Sequence, residues 1–305
     1  MLADSGPSRC LQNGALVNRR GTRFGWEDFD ETRCHDVLNE LTYALGMYWV
    51  CTEIASRTMS ARNVDALNKA GLRILSHKSS VDSWAADYLV HQSQRLAEDL
   101  DILEKYASRN STQIVEIGSS PPFITAAMND LGFRVIGLDI DPTRFGEATR
   151  DEGLDIRLAN IESEPFPVES ASVDLVLMNE VFEHLRSPLV PIMEIERILR
   201  PGGVLLLSTP NLRSFRGIAN LVLRGKGWAV GADPSVEHRK PEKIGHMGHV
   251  REYTPVEVGG VLKSFGLQPE KVIHRGSLGP LPERLFYKVV PVARPFFTIV
   301  ARKAS

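Results

Sequence analysis

Cysteine is scarce in this sequence. The only three cysteines among its 305 residues are Cys10, Cys34 and Cys51. Their number is odd, and no two of them have the C-x-x-C spacing, so the sequence predicts neither a disulfide framework nor a zinc cluster. Free cysteines fit a reducing compartment, and we therefore expect a cytoplasmic protein.

A strong excess of charge is also missing. The formal net charge is −2, and aromatic residues make up 7% of the chain. A chain with so little net charge has no global field that attracts a polyanion. The few aromatic residues provide no stacking platform for single strands. Nucleic acid is therefore disfavoured as a partner.

Long hydrophobic runs are absent as well. The most apolar stretch, residues 44–51, is far shorter than the roughly 20 residues that a membrane-spanning helix needs. The first residues show no basic flank followed by an apolar run, so we expect no secretory signal.

The chain divides into two regions of different pattern near residue 110. Residues 28–106 show apolar stripes at helical spacing, so we predict a helical N-terminal extension or cap over residues 1–110. No cluster of chemically active side chains stands out there. Residues 111–305 form a second region that alternates strands with helices.

This alternation predicts a doubly covered parallel sheet. Short apolar strands are expected at residues 113–117, 134–138, 155–159, 173–178 and 203–208. Helical patterns separate them at residues 121–131, 142–152 and 188–199. Two more strands are expected at residues 269–274 and 297–303. Near-continuous apolar strands joined by helices are typical of an α/β fold with helices on both faces of the sheet.

Two residues at the ends of the first two strands predict a ligand. Gly118 follows the first strand, where a turn without a Cβ lets backbone approach a ligand at a helix N-terminus. Asp139 ends the second strand, where a carboxylate can accept hydrogen bonds from both hydroxyls of a ribose. Together they predict an adenosine-containing ligand, and both NAD and S-adenosylmethionine qualify.

Motifs at the ends of all five strands favour S-adenosylmethionine. They are Glu116-Ile-Gly118, Asp139, Asn160-Ile161-Glu162, the strand ending in Asn179-Glu180 with Val-Phe-Glu-His-Leu after it, and Leu199-Arg-Pro-Gly-Gly203. On these motifs, residues 112–303 resemble the class I S-adenosylmethionine-dependent methyltransferases. The resemblance implies a Rossmann-like, seven-stranded sheet with an antiparallel last strand. It also implies a set of cofactor-binding residues: Glu116, Gly118, Ser119, Asp139, Ile140, Asn160, Ile161 and Asn179.

One departure from the family pattern lies in the first turn. Ser120 and Pro122 stand where later glycines are common, and proline has no N–H to donate. This departure keeps open a non-catalytic adenosine-binding module. A Rossmann dehydrogenase is less favoured, because its third glycine has no counterpart here.

A second group of polar residues predicts the chemistry. If the segment after the fourth strand is helical, Glu180, Glu183 and His184 share one face. Some methyltransferases that this stretch resembles hold a divalent ion with such a tract and a downstream histidine, here His249. One interpretation is therefore a Mg²⁺ or Mn²⁺ site formed by Glu180, Glu183, His184 and His249. The other is that His184 acts alone as the general base while Glu180 contacts the cofactor.

The segment after the fifth strand predicts how the acceptor is enclosed. Residues 211–253 form a long connection, which in a compact domain is usually a lid or a substrate loop. Residues 213–226 and 285–297 mix basic with apolar side chains. We interpret them as a lid helix and the approach to the last strand, with peripheral membrane contact or a lipid-linked glycan as the alternative.

These observations favour O-methylation of a small-molecule or glycan hydroxyl, with S-adenosylmethionine as methyl donor and His184 as base or metal ligand. RNA 2′-O-methylation remains an alternative, since the tract resembles the one used by RNA enzymes. The non-catalytic adenosine-binding module is the other.

Overall fold

The computed structural model describes residues 51–54, 60–77, 84–231, 234–237, 239, 248–276 and 281–305. The predicted N-terminal extension is therefore described only from residue 51 onward. His238 and His246, two of the histidines of the predicted lid, lie outside the described residues.

The described residues form one eight-stranded sheet with the strand order β1-β7-β8-β6-β5-β2-β3-β4. Its strands are β1 Cys51–Ile54, β2 Gln113–Ile117, β3 Arg134–Asp139, β4 Asp155–Leu158, β5 Val173–Asn179, β6 Leu199–Pro210, β7 Leu267–Arg275 and β8 Phe296–Lys303. Strand β8 pairs antiparallel with β6 and β7, and all other pairs are parallel. The predicted α/β fold with seven strands and an antiparallel last strand is confirmed.

Two predicted elements differ from the structure. Strand β1 lies within a stretch that we predicted as helical, and it adds an eighth strand by pairing in parallel with β7. Strand β6 begins at Leu199, four residues before its predicted start, because Leu199 pairs with Val173 ahead of a register shift.

Nine α-helices are described: α1 Ala61–Ser76, α2 Trp84–Leu103, α3 Phe123–Asp130, α4 Gly146–Asp151, α5 Leu189–Ile198, α6 Phe215–Arg224, α7 Pro234–Glu237, α8 Pro255–Ser264 and α9 Leu281–Val289. Local signals fix several of their ends. Thr254 and Glu257 form a reciprocal capping box at the start of α8. Ser214 caps α6, and Gly225 ends it in the left-handed conformation. Within the described ranges, no helix combines the length and the apolar character needed to cross a bilayer.

Hydrophobic side chains cover both faces of the sheet. Along β5, Leu175 and Leu177 face the cluster that includes helices α1 to α3. Val176 and Met178 face the cluster that includes helices α5 and α8. Full burial of each such side chain stabilises the fold by about 1.5–3 kcal/mol. The near-continuous apolar pattern of the strands thus follows from two-sided burial.

The strand directions place the carboxyl ends of seven strands at one edge of the sheet. Strands β1 to β7 are mutually parallel, so their carboxyl ends meet there. Because β8 is antiparallel, its first residues lie at that same edge. This carboxyl edge carries the candidate site, as in open α/β sheets generally.

Candidate active site

The turn after β2 requires glycine for two reasons. Gly118 has a φ of +78°, a region that L side chains rarely adopt. A Cβ at this position would lie 2.4 Å from Cγ2 of Val181. The amide of Gly118 donates to the carbonyl oxygen of Leu138 at 2.8 Å. The turn is therefore held against β3, and Gly118 itself is exposed.

Asp139 lies beside this turn at the end of β3. Its Oδ2 accepts a hydrogen bond from the amide of Ser120 at 3.0 Å, and its Oδ1 accepts one from the amide of Asp141 at 2.9 Å. Burial raises the pKa of Asp139 above its usual value, although these hydrogen bonds oppose the increase. Ser120, which departs from the family pattern, thus still supplies an N–H to the turn.

The remaining side chains of the predicted adenosine site lie along the same edge. Ile140 is 64% exposed immediately after Asp139. Ile161 is half-buried, and Oδ1 of Asn160 accepts a hydrogen bond from the amide of Glu162 at 3.2 Å. The amide of Ala159 donates to the carbonyl oxygen of Asp139 at 2.8 Å, which holds the two strand ends together.

Three polar side chains with buried atoms stand close to the turn. Ser119 is fully buried, and its hydroxyl has no hydrogen-bond partner among the described residues. Asn179 is half-buried, and its Nδ2 atom is buried without a hydrogen-bond partner among the described residues. Glu116 is 5% exposed and accepts a hydrogen bond from the hydroxyl of Thr125. Burial raises the pKa of Glu116 to about 8.

A small cavity of about 30 Å³ lies between the turn and helix α2. It is lined by Tyr88, Arg95, Leu96, Glu116, Gly118, Ser120, Pro121, Ile124 and Asn179. Helix α2 therefore contributes to the site, although we predicted no chemically active cluster there. No signal in the sequence marks Arg95, because an arginine next to the apolar Leu96 is what a solvent-facing position of a helix would hold.

Arg95 connects this cavity to the second group of predicted residues. Its Nη2 donates to the hydroxyl of Tyr88 at 3.2 Å, and its Nη1 lies 3.6 Å from Oε1 of Glu180. Burial opposes the charge of Arg95, but the carboxylate of Glu180 holds the pKa of the guanidinium above its usual value.

Glu180 does not share a helical face with Glu183 and His184. It adopts a left-handed φ of +52°, and a short 3₁₀ turn, Phe182–His184, follows it. Its Oε1 accepts a hydrogen bond from the hydroxyl of Ser208 at 3.0 Å. The predicted helical face is therefore wrong, and Glu180 pairs with Arg95 and Ser208 while the other three predicted ligands form a group without it.

Glu183, His184 and His249 do lie together. Each offers one ligand atom, and these atoms lie within 4.8 Å of one another. The His184 and His249 rings meet edge to face with centroids 4.8 Å apart. The amides of Val250 and Arg251 donate to the carbonyl oxygen of Glu183 at 2.8 and 3.1 Å. These backbone bonds bring the distant histidine to the turn.

Glu183 is the most buried member of this group, at 1% exposed. Thr209 donates its hydroxyl to Oε2 of Glu183 at 2.9 Å. Burial, reinforced by the charge of Glu180, raises the pKa of Glu183 well above its usual value. A cation bound near Glu183 would oppose this increase. The donor set of one carboxylate and two imidazoles suits a divalent metal, and either imidazole suits proton transfer.

Comparison with known proteins shows which proteins this chain resembles. The methyltransferase domain family Methyltransf_11 matches residues 115–207, from β2 into β6. A probable S-adenosylmethionine-dependent methyltransferase of Mycolicibacterium smegmatis is 39% identical over 175 residues, which are 56% of this chain and 59% of that protein. The ubiquinone biosynthesis O-methyltransferase of Cereibacter sphaeroides is 28% identical over 160 residues, covering 52% and 60% of the two chains. The chain thus spans about 60% of the length of these relatives.

A solved structure shares the fold. The methyltransferase in a complex with the Trm112 methyltransferase activator of Haloferax volcanii superposes with a TM-score of 0.50 and 19% identity. The match covers 73% of this chain and 97% of that one.

Proposed function

We propose that the chain is an S-adenosylmethionine-dependent methyltransferase, like the proteins that it resembles, and that it transfers a methyl group to a hydroxyl of a small-molecule or glycan acceptor. The observation that carries the proposal is the arrangement along the carboxyl edge. The Gly118 turn and Asp139 lie on one side, and the His184–His249 pair lies next to β5 and β6. S-adenosylmethionine supplies an activated methyl group when it is bound.

The residues present fit this cofactor. Asp139 at the end of β3 can accept hydrogen bonds from the ribose hydroxyls, and the exposed side chain of Ile140 offers an apolar surface for the adenine. The buried donor atom of Asn179, which has no partner among the described residues, suits the polar methionine end. Arg95 lines the same cavity, so we propose that it binds the methionine carboxylate.

His184 is proposed as the general base. An imidazole titrates near neutral pH, so it can accept the proton of the acceptor hydroxyl. Methyl transfer needs little more from the chain than alignment of the acceptor oxygen with the methyl group and removal of that proton. His249, in edge-to-face contact with His184, positions the ring.

A divalent cation held by Glu183, His184 and His249 is the alternative route to deprotonation. Such an ion would lower the pKa of an acceptor hydroxyl. This proposal omits Glu180 from the ligand set, because Glu180 pairs with Arg95 and Ser208.

The test is methyl transfer to pooled acceptors, followed as release of S-adenosylhomocysteine. We expect release by the wild-type chain, a loss of at least 100-fold in His184→Ala, and unchanged activity in His91→Ala, a control at an exposed histidine of α2. If EDTA abolishes activity and Mg²⁺ or Mn²⁺ restores it, with Glu183→Ala inactive, the metal route holds. Full activity in EDTA assigns the base role to His184 alone. An unaffected His184→Ala enzyme contradicts both.

We also propose that helices α6 and α9 form a surface that binds anionic membranes, called here the α6–α9 surface. The rings of Phe215 and Phe286 meet with centroids 5.4 Å apart. The large apolar side chains exposed on the two helices are Phe215, Ile218, Leu221, Val222, Leu223, Leu285, Phe286 and Val289. The exposed basic side chains among them are Arg216, Arg224 and Lys288. Apolar residues mixed with cations suit the boundary between anionic headgroups and acyl chains.

A further inference from the structure

We propose that the acceptor carries an anionic group, a carboxylate or a phosphate, which binds between Arg213, His274 and Arg294. These three residues are called the basic cluster. The inference rests on the proposed methyl transfer, for which it names the substrate class.

The basic cluster lies at the carboxyl edge, at the ends of three neighbouring strands. Arg213 follows β6, His274 lies near the end of β7, and Arg294 precedes β8. Nδ2 of Asn211 donates to the carbonyl oxygens of Val292 and Arg294 at 3.0 and 2.8 Å. Its Oδ1 accepts a hydrogen bond from the amide of Arg213 at 3.0 Å. One buried asparagine thus joins the segments that carry the two arginines.

The strand register places this cluster beside the proposed catalytic group. Phe297 of β8 pairs with Thr209 of β6 on one side and with His274 of β7 on the other. Paired residues point to the same face, so these three side chains form one row across the sheet. Neighbouring strands are about 4.8 Å apart, so the backbones of Thr209 and His274 are separated by roughly 10 Å. Thr209 bonds to Glu183. A small acceptor can therefore contact both the basic cluster and the Glu183–His184–His249 group.

Two members of the cluster have polar atoms without a hydrogen-bond partner within the described ranges. His274 is only 4% exposed, and its Nδ1 has no such partner. Arg294 donates from Nη1 to the carbonyl oxygen of Gly276 at 3.1 Å and lies over the ring of Tyr287, but its Nε has no such partner. Buried polar atoms of this kind usually meet a ligand or water.

The surrounding charges favour an anion. Burial, together with the charges of Arg213 and Arg294, lowers the pKa of His274 to about 4. Burial also lowers the pKa values of both arginines. Of the nearby acids, Asp99 pairs with Arg275, and Glu98 raises the pKa of Arg294 while burial raises the pKa of Glu98 itself. An anion between the guanidiniums would offset the cost of burying two like charges.

The experiment titrates the full chain with inorganic phosphate and with benzoate, and with methyl benzoate as the neutral analogue of benzoate. The readout is the NMR signal of the His274 ring, assigned with His274→Gln. We expect saturable binding of at least one of the two anions and an increase of the His274 pKa from about 4 toward its ordinary value near 6.5. The preferred anion distinguishes a phosphate from a carboxylate. The absence of saturable binding of both anions, or equal binding of methyl benzoate, overturns the proposal.

Variants separate a built site from general charge attraction. Arg213→Gln and Arg294→Gln should each weaken anion binding at least tenfold. Arg294→Lys keeps the charge and should therefore lose less anion affinity than Arg294→Gln. It replaces Arg294→Gln as the test if that variant folds poorly. Arg134→Gln, at an exposed arginine on the opposite edge of the sheet, should bind as wild type. Equal affinity in all variants contradicts the site.

S-adenosylhomocysteine is titrated in parallel. If S-adenosylhomocysteine binds and the anions do not, only the anion site is contradicted. If S-adenosylhomocysteine does not bind, the proposed methyl transfer is contradicted.

Discussion

The buried carboxyl group of Glu116 makes the stability of the protein depend on pH. Its pKa is about 8 in the folded chain, because burial disfavours the charged form, against 4.5 when unfolded. Between pH 4.5 and 8 the folded state therefore holds one proton more than the unfolded state. The free energy of unfolding must then fall as the pH rises through this window, by up to about 1.4 kcal/mol per pH unit.

Glu116→Gln should remove this fall in the free energy of unfolding at higher pH. Glutamine can still accept the hydrogen bond from Thr125 but does not ionise. In urea unfolding of the ligand-free chain, we expect the variant to equal the wild type near pH 5 and to exceed it by a few kcal/mol at pH 8. Glu169→Gln, at an exposed glutamate, serves as the control and should follow the wild type. Parallel stability curves for Glu116→Gln and wild type would show that Glu116 is not buried as a neutral acid.

At the residue scale, the sequence supports the prediction of some side chains and not of others. Gly118 directly follows β2, and Asp139 ends β3. The predicted ends of these two strands were therefore enough to predict that the two residues lie close together. Glu180 could not be placed, because its left-handed φ redirects the side chain. Arg95 could not be assigned, because its role depends on which long-range contacts α2 makes.

At the element scale, the α6–α9 surface gives a prediction about membranes. Leu223 is 79% exposed and Val222 is 74% exposed. Full burial of an apolar side chain in lipid contributes about 1.5–3 kcal/mol, and each basic residue near an anionic surface about 1 kcal/mol. We expect the chain to cosediment with vesicles of phosphatidylglycerol and phosphatidylcholine, and Val222→Ser/Leu223→Ser to lose at least tenfold in affinity.

The matched control for this surface is Leu72→Ser, at an apolar residue of α1 that is 67% exposed. It should bind vesicles as the wild type does. Binding that depends on charge alone, unchanged in the Val222→Ser/Leu223→Ser variant, would contradict an apolar contact. Binding to a second copy of the chain, seen as a dimer in sedimentation, would assign the surface to self-association instead.

Elements with a clear period were predictable, and short ones were not. The helical patterns at residues 121–131 and 188–199 locate α3 and α5 within a few residues. The turn Phe182–His184 has three residues, too few to carry a period, so the i, i+3, i+4 spacing around it predicted an α-helix that does not form. Strand β1 is held by pairing with a strand more than 200 residues later, which no local pattern encodes.

At the scale of the whole molecule, the sheet divides the proposed reaction between its two halves. The ends of β2, β3 and β4 carry the proposed cofactor residues, including Asp139. The ends of β6, β7 and β8 carry the basic cluster, and the Glu183–His184–His249 group lies next to β5 and β6. The fold class was predictable because strands that alternate with helices pair in parallel through right-handed crossovers. The acceptor was not, because its contacts depend on loops whose paths no period describes.

The binding of S-adenosylmethionine to Asp139 variants tests the central claim most directly. A hydrogen bond to a charged group contributes about 1.5–3 kcal/mol, and 1.4 kcal/mol is tenfold in affinity. Calorimetry should therefore show one bound S-adenosylmethionine per wild-type chain, with affinity at least tenfold weaker in Asp139→Ala. Asp141→Ala, in the same loop, should bind as the wild type does. No binding by the wild-type chain, or equal affinities for wild type and Asp139→Ala, would contradict the account.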